Sequence, residues 1–168
     1  NYDTIDENLL PNETIVKNPD VAKILAAVKV SGRTKKGLGI AVLDAITDKT
    51  EAIVKNEITN TTRKEVTESV ANYNVLVIDQ EFNKNSSVSF VNTNVSRSGN
   101  FRSANASAFL FSLANKANSK KFDGYAKWNT LKDPVEGNSS GFSTGLSYDK
   151  TKGNFRFGLR HRLANETY

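Results

Sequence analysis

From Gly141 the chain reads GFSTGLSYDKTKGNFRFGLRHRL, and its side chains alternate in character. Phe142, Thr144, Leu146 and Tyr148 fall on one side, and Gly141, Ser143, Gly145, Ser147 and Asp149 on the other. A turn, DKTKGN, follows. Then Phe155, Phe157, Leu159 and Leu163 alternate with Asn154, Arg156, Gly158, Arg160 and Arg162. A period of two is that of a β-strand. The pattern predicts a hairpin with one aromatic, apolar face and one small, polar or charged face. Water-soluble sheets contain such strands. So do outer-membrane barrels, whose outer surface meets lipid and whose interior is wet.

The same period, less evenly, predicts strands over about 22–33, 38–54, 66–81, 87–97, 104–115 and 121–131, followed by 141–149 and 154–164. Ile24, Ala26, Val28 and Val30 oppose Lys29, Ser31 and Arg33. Leu38, Ile40 and Val42 share a face until Asp44 breaks the row. Val75, Leu76, Val77 and Ile78 are apolar on both faces, which calls for a covered second face or a plug against it. Val88 and Phe90 run into Asn92 and Asn94, with Val91 and Val95 opposite, so the register there is ambiguous. Phe109, Phe111 and Leu113 form one strong row. Phe122, Gly124, Ala126 and Trp128 form another, opposite Asp123, Tyr125, Lys127 and Asn129, with an aromatic near each end. Residues 1–20 have no clear period and read as a loop or extended segment.

The connections SGRTKKG, FNKNSS, KANSK and KTKG read as short. The KNEITNTTRK region, SRSGNFRS and KDPVEGNSSG read as longer. Short and long connections alternate in outer-membrane barrels. With about eight strands, this places both ends of the segment on the long-loop side, whereas complete barrels usually keep both ends on the short-turn side. We therefore expect residues 21–168 to be an interior section of a larger barrel. Its two open edges would be continued by more of its own chain or by another outer-membrane protein. An initiator methionine and a basic-then-apolar signal segment are both missing, which agrees with a piece of a longer chain.

Composition narrows the chemistry. The chain has 168 residues, hydrophobic content of 38% and a net charge of +5. No apolar run approaches the roughly 18–20 residues of a membrane helix. Without cysteine there is no disulfide framework, thiolate nucleophile or cysteine metal site. The basic clusters RTKKG, NSKK and RHR accompany no nucleic-acid motif and fit solvated turns or lipopolysaccharide headgroups. The single histidine, His161, lacks a second histidine or a cysteine as metal partner. Parity puts it on the apolar face with Leu159 and Leu163, a misfit that a register shift or bulge would relieve. Asp44, Asp79, Glu81, Asp123 and Asp149 are the carboxylates that a hydrolase would need. In a lumen they pair more simply with Lys127, Arg156, Arg160 and Arg162. No catalytic residue, cofactor or metal is expected.

ILAAVKVSGRTKKGLGIAVLDAITDKTEA, ANYNVLVIDQEFNKNSSVSFVNTNVSRSGNFRSANA and GNFRFGLRHRLANETY, in that order, resemble the barrel region of a Bacteroidota family, domain of unknown function 5916. The most specific stretches are SGRTKKGLGI, NYNVLVIDQ and SSVSFVNTNV. The resemblance implies an outer-membrane location, a barrel larger than this segment and an N-terminal carbohydrate-binding module of family 9 type. It supplies no catalytic residues.

The fold expected is all-β, an antiparallel up-and-down meander belonging to a transmembrane barrel. Phe109, Phe111, Phe122, Trp128, Phe142, Leu146, Tyr148, Phe155, Phe157 and Leu159 should face lipid. Asp123, Lys127, Asp149, Arg156, Arg160 and Arg162 should face the lumen. The function expected is that of a non-enzymatic pore, receptor-like barrel or surface-complex scaffold in the bacterial outer membrane. Its partners would be outer-membrane lipid, lipopolysaccharide and a glycan, not nucleic acid. The alternative is a soluble β-sandwich that binds carbohydrate on a platform of Trp128, Tyr125 and Tyr73.

Overall fold

A computed structural model describes residues 8–167. Eleven antiparallel strands follow one another with no helix among the described residues. They are β1 (Glu13–Lys17), β2 (Ile24–Arg33), β3 (Leu38–Thr47), β4 (Thr50–Asn56), β5 (Thr62–Glu68) and β6 (Ala71–Phe82), then β7 (Ser86–Arg97), β8 (Ser103–Ala114), β9 (Lys120–Lys132), β10 (Ser139–Lys150) and β11 (Phe157–Ala164). Eight form the main sheet, in the order β11-β10-β9-β8-β7-β6-β3-β2. Three form a small sheet, β1-β4-β5, referred to below as the blade.

The blade continues the main sheet. β3 passes through Asp48 and Lys49 into β4, and β5 returns through Ser69 and Val70 into β6. At the kink the Asp48 carboxylate accepts the Lys49 amide, and the Asp48 amide donates to the Lys23 carbonyl, 2.7 Å away. Across it, neighbours change from β2 and β6 to β1 and β5. Three sequence expectations are corrected here. The segments 38–54 and 66–81 each contain parts of two strands. The KNEITNTTRK region is mostly hairpin. Residues 13–17, expected within a loop or extended segment, are the outer strand of the blade; residues 1–7 lie outside the described residues.

β6 through β11 pair in continuous register, without a bulge. Connections 34–37, 83–85, 115–119 and 151–156 lie at one end, here the turn side, and 98–102, 133–138 and the blade lie at the other. The expected alternation in length is carried mainly by the blade, because 98–102 is as long as 115–119 and 133–138 as long as 151–156. Asn83, Lys84 and Asn118 take left-handed φ in these turns, where asparagine is well tolerated.

A sheet normally buries at least one face against a second layer. This one does not. The substantial contacts join only hydrogen-bonded neighbours, so the two sheets do not stack as a sandwich. The buried apolar residues among those described are Ala52, Val54 and Ala71, in the blade and at its junction. The main sheet is a single open layer with free edges at β2 and β11.

Candidate functional site

Residues directly opposite each other in an antiparallel pair share a face, so the register assigns every side chain of the main sheet. One face carries Phe142, Trp128, Phe109, Phe90, Ile78 and Ile40, and with them Phe111, Phe122, Leu146, Tyr148 and Leu159. Its rings pack in tilted pairs: Phe111–Phe122 at 5.2 Å, Tyr148–Phe157 at 5.7 Å and Phe90–Trp128 at 6.2 Å between centroids. Gly124 makes this possible. A Cβ there would stand 2.4 Å from the Phe111 ring and 2.8 Å from Leu146. Trp128, Phe109 and Phe142 keep 41%, 42% and 44% of their surface exposed, so nothing in the structure covers the face.

On its blade side the apolar face ends at a polar row. Ser140, Thr130, Asn105, Asn94, Asn74 and Asp44 lie opposite one another in turn across β10, β9, β8, β7, β6 and β3. Asp44 accepts from the Asn72 and Asn74 amides. Asn94 donates to Asn74 at 3.2 Å, and Asn92 to Asn105 at 3.1 Å and Ser107 at 2.7 Å. The break at Asp44 and the unclear register at Asn92 and Asn94 are thus parts of one band. Charged strand residues are sparse on this face. Beyond Asp44 they are Lys120, Lys132 and Lys150, all at strand ends.

The opposite face is concave, with hollows of about 680 Å³ and 290 Å³. Across the middle of β3, β6, β7 and β8 it is apolar, with Leu43, Val75, Val77, Val91, Ala106 and Ala108, and toward the turn side it carries Asp79 and Glu81 beside Arg33. Toward β11 it becomes charged. Asp123, Lys127, Asp149, Arg160 and Arg162 all lie on it. Tyr125 lies flat over Gly145, where a Cβ would meet its ring at 2.4 Å, and the Lys127 ammonium stands 4.7 Å from the centre of that ring.

Several expected placements change. Arg156 lies in the turn before β11, where its Nε donates to the Gly153 carbonyl, so it is not on a strand face. Phe155 precedes β11 too, but its ring packs on Phe157 at 5.4 Å. The carboxylates do not pair with Lys127, Arg156, Arg160 and Arg162. Asp79 and Glu81 pair with Arg33, at 2.5 and 3.3 Å, and Asp123 with Lys121 at 2.9 Å. Asp44 binds amides, and no ion pair reaches Asp149 among the described residues. His161 keeps the expected face, directly opposite Leu146, and no bulge relieves it. The stacking platform does not form, because Trp128 is on the convex face and Tyr125 and Tyr73 are on the concave one.

The blade side is tied by ion pairs that no sequence pattern announces. Arg63 on β5 reaches across β4 to Glu13 on β1 through two bonds of 2.9 and 2.8 Å, and also binds Glu65 and the Asn8 carbonyl. Its hydrogen bonds, with the Leu10 amide, pull the Glu13 carboxyl down to about 2. Arg97 joins Glu68, at 3.4 Å, to the Arg102 carbonyl. Arg102 binds Asp133 and Glu136 in the 133–138 connection. The amides of Val135 and Glu136, with Arg102, hold the Asp133 carboxyl below its ordinary value.

The chain belongs to the family described as Domain of unknown function (DUF5916), which it matches over residues 1–168. No curated protein and no solved structure matches it.

Proposed function

We propose that this chain forms a wall section of a non-enzymatic outer-membrane β-barrel that acts as a pore, a receptor-like barrel or a scaffold for a surface complex. The observation that carries this reading is the single-layer sheet whose aromatic convex face has nothing packed on it and holds charge only at Asp44 and at strand ends. Exposed apolar patches of this extent need a partner, and lipid suits a convex, nearly uncharged face. Main-sheet strands run from 8 residues in β11 to 13 in β9, and a tilted strand needs about 9–11 to cross a bilayer. The polar row then lies at headgroup height, with the blade and its ion pairs beyond it in water.

The free edges extend the reading. In lipid each unpaired backbone group costs several kcal/mol, on the order of 2–7. Further strands, from the same chain or another protein, would pair with β2 and β11. The small apolar side of the concave face then offers a packing surface for an internal plug. Bacteroidota origin and a role in glycan handling rest on the family resemblance alone. Depth labelling tests the barrel. Phe157→Cys should react only with lipid-soluble thiol reagents and Arg160→Cys only with water-soluble ones. The reverse pattern, or recovery of the natural protein in the aqueous fraction after gentle lysis, rejects it.

A further inference from the structure

The larger hollow holds an arrangement that a barrel wall does not require. Arg162 and Arg160 project from β11 onto the concave face opposite Gly145 and Ser147. Gly145 is roofed by Tyr125, and Tyr125 holds the Lys127 ammonium over its ring. Arg160 and Arg162 line the hollow together, and neither has a carboxylate within ion-pair distance among the described residues. The acids nearby are otherwise disposed. Asp123 is bound by Lys121 at 2.9 Å. Asp149 lies turnward of Arg160, beside Gly158. Arg33, Arg63, Arg97 and Arg102 each hold at least one carboxylate, while Arg156, outside the hollow in the turn before β11, donates to the Gly153 carbonyl.

We propose that this hollow binds a small multivalent anion bearing phosphate or carboxylate groups, with Arg160 and Arg162 as its ligands. Guanidinium groups suit such anions because their paired N–H groups match two oxygens at once. The hydroxyls of Ser147 and Ser112 also line the hollow and supply further donors. Its volume of about 680 Å³ admits a ligand well beyond a single ion. Asp149 opposes binding by its charge and limits the site to anions of more than one charge.

The proposal names the ligand of the concave face and rests on that face being wet, which the depth labelling above reads separately. The test is calorimetric titration of the detergent-purified full chain at low ionic strength, with pyrophosphate and with citrate. Saturable binding of at least one is expected. Exchanging both arginines (Arg160→Gln with Arg162→Gln) should weaken it about tenfold or more. Asp149→Asn should tighten it about twofold by removing a like charge. Lys17→Gln with Lys23→Gln removes the same number of charges at the blade side and should leave it unchanged. Failure of both anions to saturate, or equal weakening by the two double variants, overturns the proposal. Preference for pyrophosphate assigns phosphate as the group read, and preference for citrate assigns carboxylate. Water-accessible labelling at Arg160→Cys without saturable anion binding by the wild type would reject the site and keep the barrel.

Discussion

The turn-side and blade-side halves of the molecule are built from the same strands and held by different forces. On the turn side, Phe109, Phe111 and Phe122 stand against one another on a face with no covering layer. On the blade side the same face becomes a row of amides and hydroxyls, and beyond it Arg63, Arg97 and Arg102 link separate segments through carboxylates and carbonyls. One half carries an apolar face without cover, and the other satisfies its polar groups internally. In the proposed barrel, the boundary between lipid and water would cross the strands between the two.

The largest test of this contrast places one charge on each side of the boundary. Phe109→Arg puts a guanidinium into the aromatic belt, where a basic residue near the bilayer midplane costs about 2–4 kcal/mol. Asn94→Arg makes the same charge in the polar row, where the cost falls to about 0–1 kcal/mol. Denaturant unfolding from lipid vesicles reads both. Equal costs would remove the boundary.

A second test uses two glycines of the convex face. Gly124→Val drives a side chain into the Phe111 ring and Leu146, and such overpacking costs about 1–3 kcal/mol. Gly32, on the edge strand β2, has nothing within 4 Å of a Cβ. Gly32→Ala should leave the melting temperature unchanged or slightly raised. If Gly124→Val is equally silent, the ring cluster is not packed as described.

Much of the turn-side half was legible in the sequence, because alternation is strongest where one face is uniformly apolar. Phe109, Phe111, Phe122, Trp128, Phe142, Leu146 and Tyr148 all take the face their parity assigns. The blade-side half was not legible in the same way. Asp44 and Asn92 look like interruptions when each strand is read alone, and only pairing across strands turns them into a row. The kinks at Asp48–Lys49 and Ser69–Val70 change a strand's neighbours without any glycine or proline to mark them. β1 is short and depends on Arg63, a residue 50 positions from its partner Glu13. Ion pairs between distant segments leave no local period.

A third test addresses the row itself. Asp44→Ala removes the acceptor shared by Asn72 and Asn74. Losing hydrogen bonds to a charged group should cost about 1–2 kcal/mol, less than a wholly buried loss because the row is only partly buried. Asp44→Asn keeps an acceptor of the same shape and should cost about half as much or less. If both variants unfold at the denaturant concentration of the wild type, the row is a surface decoration and not a brace.

The smallest effect is a response to acid confined to the blade. Arg63 bonds only the ionised form of Glu13 with both oxygens, so the folded pKa falls from the ordinary 4.5 to about 2. A depressed carboxyl contributes stability that is fully present above its unfolded pKa and is lost as pH falls through the folded one. The tie between β1 and β5 should therefore weaken between about pH 4.5 and 2. Arg63, whose pKa is raised by Glu13 and then Glu65, stays charged throughout this window. Glu51, held low first by Lys49 and then by Lys64, and Glu57, held low first by Thr14, titrate in the same direction. Amide exchange corrected for intrinsic rates should show Thr14–Val16 losing protection on acidification while Phe109–Phe111 on β8 keep theirs. Glu13→Gln should show the loosened β1 already at neutral pH and a smaller change on acidification. If β1 keeps its protection down to pH 2 in the wild type, Arg63 is not what holds the outer strand, and the buried Val54 of the blade is left as its support.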